Sequence, residues 1–115
     1  MNTKFRCIDN GKPMTVRRES FRRLVSIDEF PDTSWLDDEP RLEAFQDGTW
    51  HMIGIQAAAT FLIPLGGHFV VQTLESPGLW GIESDSDEAY LDEVYAEECG
   101  NLAEMLKTLG VAVSE

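Results

Sequence analysis

Apolar residues change their spacing along the chain, and each change predicts a different structural element. From Trp50 onward they occupy every second position, which is the period of a β-strand with one buried face. These positions are Ile53, Ile55, Ala57, Ala59, Phe61 and Ile63. Turn-forming residues at 64–67 and 76–78 then separate two shorter apolar segments, HFVVQTLE and LWGIE. The pattern predicts three strands joined by tight turns, an antiparallel meander.

Two other segments have the three- and four-residue spacing of helices. The first is predicted over about 40 to 47, with Glu39 as its N-cap and Gly48 at its end. The second is predicted over about 86 to 109, where the apolar residues form one continuous stripe. The members of this stripe are Leu91, Val94, Tyr95, Leu102, Met105, Leu106 and Leu109.

The long helix and the segment before the short one complete the predicted fold. Ser84 and Asp85 precede the long helix and are expected to cap its first amides, and Gly100 leaves a place for a break inside it. Residues 13–30 alternate loosely and predict one or two edge segments. The fold class is therefore α+β. We expect a three- to four-stranded antiparallel sheet covered on one face by a long C-terminal helix, with a short helix before the first long strand.

Length and composition fit a single domain. The 115 residues, 43% of them hydrophobic, are enough for one core and too few for two. No apolar run is long enough to span a membrane, and the first residues do not resemble a secretion signal, so we expect a cytoplasmic protein with no membrane contact. In that compartment Cys7 and Cys99 are expected to be reduced thiols.

The net charge of −12 is unevenly distributed. Residues 1–23 form a basic arm with seven basic and two acidic side chains, whereas residues 24–115 form an acidic body with two basic and 19 acidic side chains. The body would repel a phosphate backbone over a Debye length of about 8–10 Å, so direct binding of nucleic acid is disfavoured. Two interpretations stay open: the arm lies on its own acidic body, or the acids face a basic partner.

No residue pattern predicts an enzyme. His51 and His68 belong to a residue type that commonly binds metals, but a turn centred on 65–66 would pair His68 near Ile63, roughly 40 Å along the strand from His51. The acids at 83–88 lack the central glycine and closing glutamate of a calcium loop. Motifs for a serine nucleophile, a phosphate or a dinucleotide are absent. We expect no catalytic residue, no metal and no cofactor.

Acidic residues before and within the long helix are the strongest candidates for a partner-binding surface. They are Glu83, Asp85, Asp87, Glu88, Asp92, Glu93 and Glu97. Like charges four residues apart destabilise a helix by a few tenths of a kcal/mol, so stability alone does not favour them. Carboxylates on a helix rise by about 6 Å per four residues, comparable with the spacing of phosphates, and would suit a basic groove. Alternatively, these acids only solvate the surface.

The run SPGLWGIESDS at 76–86, followed by Tyr90, Leu91 and the acidic helix, resembles a segment of small acidic proteins of bacteriophages and bacterial mobile elements. The segment WHMIGI at 50–55 shares this resemblance, which covers about residues 30–110. No activity is established for that group, so the resemblance implies no catalytic residue. It implies a phage or plasmid setting, in which small acidic proteins that block host DNA-binding defence systems recur.

Two functions are compatible with these observations. The first is a non-enzymatic interaction protein of a mobile element, which inhibits a basic host nucleic-acid-binding protein by partial DNA mimicry. The second is a regulatory or structural module that binds a protein or small ligand through its sheet face and Trp35, Trp50 and Trp80, with the acids only solvating. The sequence leaves a homodimer open. Charge-led binding would weaken steeply with salt, whereas apolar binding would not.

Overall fold

A computed structural model describes residues 8–9 and 12–115, with side chains from residue 14 onward. In chain order the elements are β1 (Ile8–Asp9), β2 (Lys12–Pro13), β3 (Thr15–Arg17), a 3-10 turn (Arg18–Ser20), β4 (Arg22–Ile27), α1 (Glu39–Gln46), β5 (Met52–Leu65), β6 (His68–Glu75), β7 (Leu79–Glu83), α2 (Glu88–Thr108) and β8 (Ala112–Ser114). The α+β class, the antiparallel sheet and both helices are confirmed. In place of a simple meander, β7 pairs with β5 and not with β6. None of the helices in the described part is long and apolar enough to cross a membrane.

Strand β5 is the centre of the main sheet. On one edge β4 pairs antiparallel with its first half, from Ile27 opposite Ile53 to Arg22 opposite Ala58. On the other edge β7 pairs with the first residues of β5, and β6 pairs with residues 58–65. The hairpin of β5 and β6 therefore extends beyond the ends of β4 and β7. The Cα atoms span 60 × 27 × 25 Å, an elongated shape.

Helix α2 covers the face of β5 that carries the alternating apolar residues. Ala57 and Ala59 are fully buried against it, and their small side chains leave room for Leu102 and Leu106, which are also fully buried. A second cluster joins β5 and β7 to Val94 near the start of the helix. A third cluster lies under α1 and buries Trp50, Met52 and Leu36. The apolar stripe predicted for the long helix therefore packs against the sheet and forms one side of the core.

The turn between β5 and β6 is shorter than predicted. Gly66 and Gly67 have φ values of 56° and 85°, and positive φ at both central positions is what a two-residue type I′ turn requires. His68 therefore lies opposite Leu65 and not near Ile63, so the predicted register was wrong. Pro64 stays in the strand because it lies beyond the reach of β4, where a missing N–H breaks no ladder.

Three predicted helix features need correction. The N-cap of α1 is Asp38, whose side chain accepts a hydrogen bond from Arg41, and not Glu39; α1 ends before Gly48 as predicted. Asp87 caps α2, which starts two residues later than predicted. In both cases the short aspartate side chain next to the first turn reaches an amide. Helix α2 is also continuous through Gly100, because Cys99 and Leu102 on either side of the glycine are held in the core.

The ends of the described chain pair with each other, which the sequence did not predict. Strand β3 runs parallel to β8, with Thr15 opposite Ala112. Arg18 also lies 3.7 Å from the carboxylate of Glu115. The described part of the basic arm thus belongs to the fold and contacts its body, while Lys4, Arg6 and Cys7 lie outside the described residues.

Candidate interaction surfaces

Two of the predicted partner-binding acids pair with a single arginine. Arg41 of α1 donates hydrogen bonds of 2.6 and 2.7 Å to Asp85 and of 3.0 and 3.3 Å to Glu83. Its guanidinium lies 3.8 Å from the ring centroid of Trp50. The hydrogen bond from Arg41 lowers the pKa of Asp85, and the same contact raises the pKa of Arg41. Glu83 and Asp85 therefore anchor α1 to the segment between β7 and α2.

Two further acids also have internal contacts. Asp87 accepts a hydrogen bond from the amide of Ala89 at the start of α2. Asp92 lies 2.8 Å from Arg23 of β4, whose guanidinium stacks 4.5 Å from the ring centroid of Tyr95. This ion pair joins the helix to the sheet, so the charge of Asp92 is partly neutralised within the fold.

The last three predicted acids, Glu88, Glu93 and Glu97, are exposed and have no ion partner among residues 14–115. Glu93 and Glu97 lie one turn apart on the outward face of α2, and Glu104 continues that face two turns further on. Successive helical residues differ by about 100° in direction, so Asp92 and Glu93 point to different flanks. The seven acids thus divide into an internally bonded group and a smaller exposed group.

Glu98 is a buried carboxylate that the sequence analysis missed. It is 5% exposed, and its Oε1 accepts hydrogen bonds from Ser76 Oγ at 2.7 Å and Gly78 N at 2.8 Å. Asn101 donates to the other carboxylate oxygen. The available signal was its position, four residues before Leu102 on the buried stripe. Glu98 ties α2 to the turn between β6 and β7.

The three tryptophans do not line one groove. Trp50 is 2% exposed in the cluster under α1, and Trp35 lies in the loop before that helix. Trp80 lies on the sheet face opposite α2 and packs directly over Gly54, where an added Cβ would overlap the indole ring. Its Nε1 donates to Pro77 O. Trp80 is therefore the tryptophan that contributes to the open sheet face.

The projecting hairpin carries the largest group of exposed apolar side chains. We call this group the hairpin patch: Leu62, Leu65, Phe69, Val70 and Val71, which are 36–64% exposed. Three of them share the face opposite α2, because Leu62 lies opposite Val71 and next to the pair of Pro64 and Phe69. The alternating pattern of β5 did not predict the patch, although residues 48–74 contain no Asp, Glu, Lys or Arg. That uncharged run was the available signal.

The two histidines lie near opposite ends of the 14-residue strand β5, far apart as predicted. Among the described residues no group of three or more His, Cys, Asp or Glu side chains is placed to hold a metal ion.

Buried Cys99 lines an open cleft beside Tyr95. Burial raises the pKa of Tyr95 to about 12, and its hydroxyl donates to Phe21 O, so near neutral pH it acts as a hydrogen-bond donor.

Comparisons of the chain with protein-family models, with curated proteins and with solved structures found no match. The surfaces of the chain itself therefore have to indicate its function. Two are candidates, the hairpin patch and the exposed acids of α2.

Proposed function

We propose that the protein is a non-enzymatic interaction module that binds another protein through the hairpin patch. The observation that carries this proposal is the contrast between the patch and the rest of the chain. A protein of net charge −12 projects a hairpin without Asp, Glu, Lys or Arg between residues 48 and 74. Clustered exposed apolar side chains of this kind mark interaction sites in folded proteins.

The acidic body has a second role in this proposal. A large net charge of one sign keeps copies of a protein apart in solution, which offsets the tendency of an exposed apolar patch to aggregate. Arg41 and Arg23 already engage three of the seven acids that were predicted to bind a partner. The acids then serve as a solvating surface and as internal ties, and the hairpin patch provides the contact.

The test is capture of a bacterial lysate protein by immobilised wild-type chain and by Val71→Lys. The charged lysine would be buried at the contact, so we expect its partner to be lost. Val25→Lys is the matched control, because Val25 is 55% exposed on β4 and Val71 is 62% exposed on β6. Retention of the partner in high salt by wild type and the control supports the proposal. Equal capture by Val71→Lys contradicts it.

A second candidate is the acidic inhibitor of a basic host protein, acting by partial DNA mimicry. It is favoured by Glu93 and Glu97, which stay exposed on one face of α2 without an ion partner among residues 14–115. Its test is the double reversal Glu93→Lys and Glu97→Lys. Mimicry predicts loss of the partner in this variant and steep elution by salt. The mobile-element setting suggested by residues 76–86 stays a prediction.

A further inference from the structure

Strand β6 forms a free edge of the main sheet. Among the described strands it pairs with β5 alone. Seven of its eight residues are exposed, and Leu74 is the exception. Natural proteins usually protect such an edge with charged side chains, a proline, a bulge or a covering element. Between His68 and Leu74 this strand has neither a proline nor a side chain of Asp, Glu, Lys or Arg.

The direction of the backbone groups of β6 follows from the ladder. Ser76 N–H donates to Ala57 O at 2.8 Å, and hydrogen-bonded pairs alternate with non-bonded pairs along an antiparallel ladder. Leu74, Gln72 and Val70 therefore direct their N–H and C=O groups to β5. The groups of the alternate residues, Phe69, Val71 and Thr73, point outward, ready to pair with another strand.

We propose that this edge pairs with the same edge of a second copy, so that two β6 strands run antiparallel across a two-fold axis. The inference rests on the proposed function, since it names the partner of the hairpin patch. A two-fold axis normal to the sheet keeps the faces of both copies aligned, and one antiparallel register then places Val71 opposite Val71. In this register Phe69 faces Thr73, and Glu75 faces Gly67, so no like charges are opposed.

Charge favours a second copy at this edge. Two chains of net charge −12 repel each other, and the repulsion is smallest where the approaching surfaces have no charge of their own. Strand β6 pairs with residues 58–65 of β5, whereas β4 and β7 pair with residues 52–58, so antiparallel pairing at β6 directs the two acidic bodies away from each other. Screening over about 8–10 Å then removes much of the remaining repulsion.

The area of the patch is compatible with a dimer at the weak end of specific interfaces. Its five side chains are 36–64% exposed. Together they expose on the order of 500 Å² per copy, so their complete burial in a pair would reach roughly 1,000 Å², near the lower limit for a specific interface. Leu62 and Leu65 lie on β5, one strand from the paired edge, and contribute least to this area. Backbone hydrogen bonds at the outward groups of β6 add to this contact. We therefore expect a dissociation constant in the micromolar range.

The first experiment is sedimentation equilibrium of the purified chain, from low micromolar to high micromolar concentration. We expect wild type and Val25→Lys to convert from monomer to dimer over this range. Val71→Lys would place two ammonium groups side by side at the two-fold axis, so we expect its dissociation constant to rise at least tenfold. A wild-type chain that stays monomeric throughout, or an equal effect of both variants, overturns the inference.

The second experiment is amide hydrogen exchange, residue by residue, at the two ends of that concentration range. In the monomer we expect the amides of Val70 and Gln72 to be protected by β5 and those of Phe69, Val71 and Thr73 to exchange freely. Pairing at the edge protects this second set only at high concentration. A dimer that leaves these three amides unprotected would be joined through another surface, and the inference would then be wrong.

The inference and the proposed function can fail separately. A chain that is monomeric alone, yet loses a lysate partner upon Val71→Lys, refutes self-pairing and leaves the proposed function standing. A chain that neither dimerises nor depends on Val71 for any capture refutes both.

Discussion

At the scale of single residues, Glu98 holds together parts of the fold that are distant in sequence. It accepts two hydrogen bonds from the turn between β6 and β7, through Ser76 and Gly78. Ser76 in turn accepts a hydrogen bond from the amide of Ala57 in the centre of β5. A single carboxylate thus connects α2, the turn and the central strand.

Replacing Glu98 by Ala should therefore be costly. The hydroxyl of Ser76 and the amide of Gly78 would lose a buried acceptor, and an unsatisfied buried donor costs about 1–3 kcal/mol. We expect the free energy of unfolding, measured by urea titration, to fall by about that amount. Glu97→Ala, on the exposed side of the same helix, should change it by less than about 0.5 kcal/mol. Equal effects of the two substitutions would refute this role.

Asp85 gives the fold a defined sensitivity to acid. The hydrogen bond from Arg41 holds the pKa of Asp85 below its usual value of 3.8, so the unfolded chain binds a proton more readily than the folded chain. This contribution to stability is complete above that value and is lost as the pH falls through the lowered pKa. Glu83 binds the same guanidinium.

We expect Asp85→Asn to remove part of the pH dependence of the free energy of unfolding. The free energy of unfolding of wild type should decrease more between pH 5 and pH 2 than that of the variant, and the two curves should converge at the acidic end. Urea titrations at each pH measure this. Glu93→Gln is the control, since Glu93 has no ion partner among residues 14–115. Parallel curves for wild type and Asp85→Asn would contradict the assignment.

At the scale of elements, two glycines in regular structure have opposite environments. Gly54 in β5 lies under Trp80, and a methyl group there would overlap the indole ring. Gly100 in α2 has no heavy atom within 4 Å of the position that a Cβ would take, apart from its chain neighbours and the backbone of its own helix. One glycine is required by packing, while the other only lowers the stability of its helix.

Substitution by alanine should consequently change the free energy of unfolding in opposite directions at the two glycines. Gly54→Ala should lower the free energy of unfolding by about 1–3 kcal/mol, because Trp80 must move. Its tryptophan fluorescence should also shift as the indole ring becomes more exposed. Gly100→Ala should raise stability by up to about 1 kcal/mol, because alanine is the better helix former. Stabilisation by Gly54→Ala would show that Trp80 does not depend on the glycine.

The sequence predicted those elements that depend on patterns within one segment, and it did not predict contacts between distant segments. The alternation from Ile53 to Ile63 and the stripe of α2 are local patterns, and both predicted their elements within a few residues. The position of the turn at Gly66 was predicted correctly, but its length was not. The residues at 64–67 suit both a four-residue turn and the observed two-residue turn. The pairing of β3 with β8 joins segments at opposite ends of the chain, and no local pattern encodes such a contact.

The candidate surfaces were less predictable than the fold. Clustering of acids in sequence suggested one ridge, but Asp85 and Asp92 are bonded to arginines that lie far away in the chain. The hairpin patch was hidden because the alternation of β5 was interpreted as one buried and one solvated face. Leu62 on the second face, with Val71 opposite it, shows that both faces of the hairpin are apolar.

At the scale of the whole molecule, charge works against the folded state. Folding brings 21 acidic and nine basic side chains close together, and the resulting repulsion is screened by salt. We therefore expect the melting temperature to rise as sodium chloride is added at neutral pH. The double variant Glu93→Lys and Glu97→Lys, whose net charge is four units smaller, should show a smaller rise. A melting temperature that falls with salt would mean that the ion pairs of Arg41 and Arg23 outweigh the repulsion.

The parallel pairing of β3 and β8 also sets an order of events during synthesis. The ribosome releases Thr15 early, but its pairing partner Ala112 is synthesised only after strands β4 to β7 and helix α2. Strands β4 to β7 can form their ladders before α2 leaves the exit tunnel, whereas the apolar face of β5 must wait for that helix. The nascent chain therefore passes through a stage in which the apolar face of β5 is still uncovered. Its exposure ends when α2 is released and packs on that face.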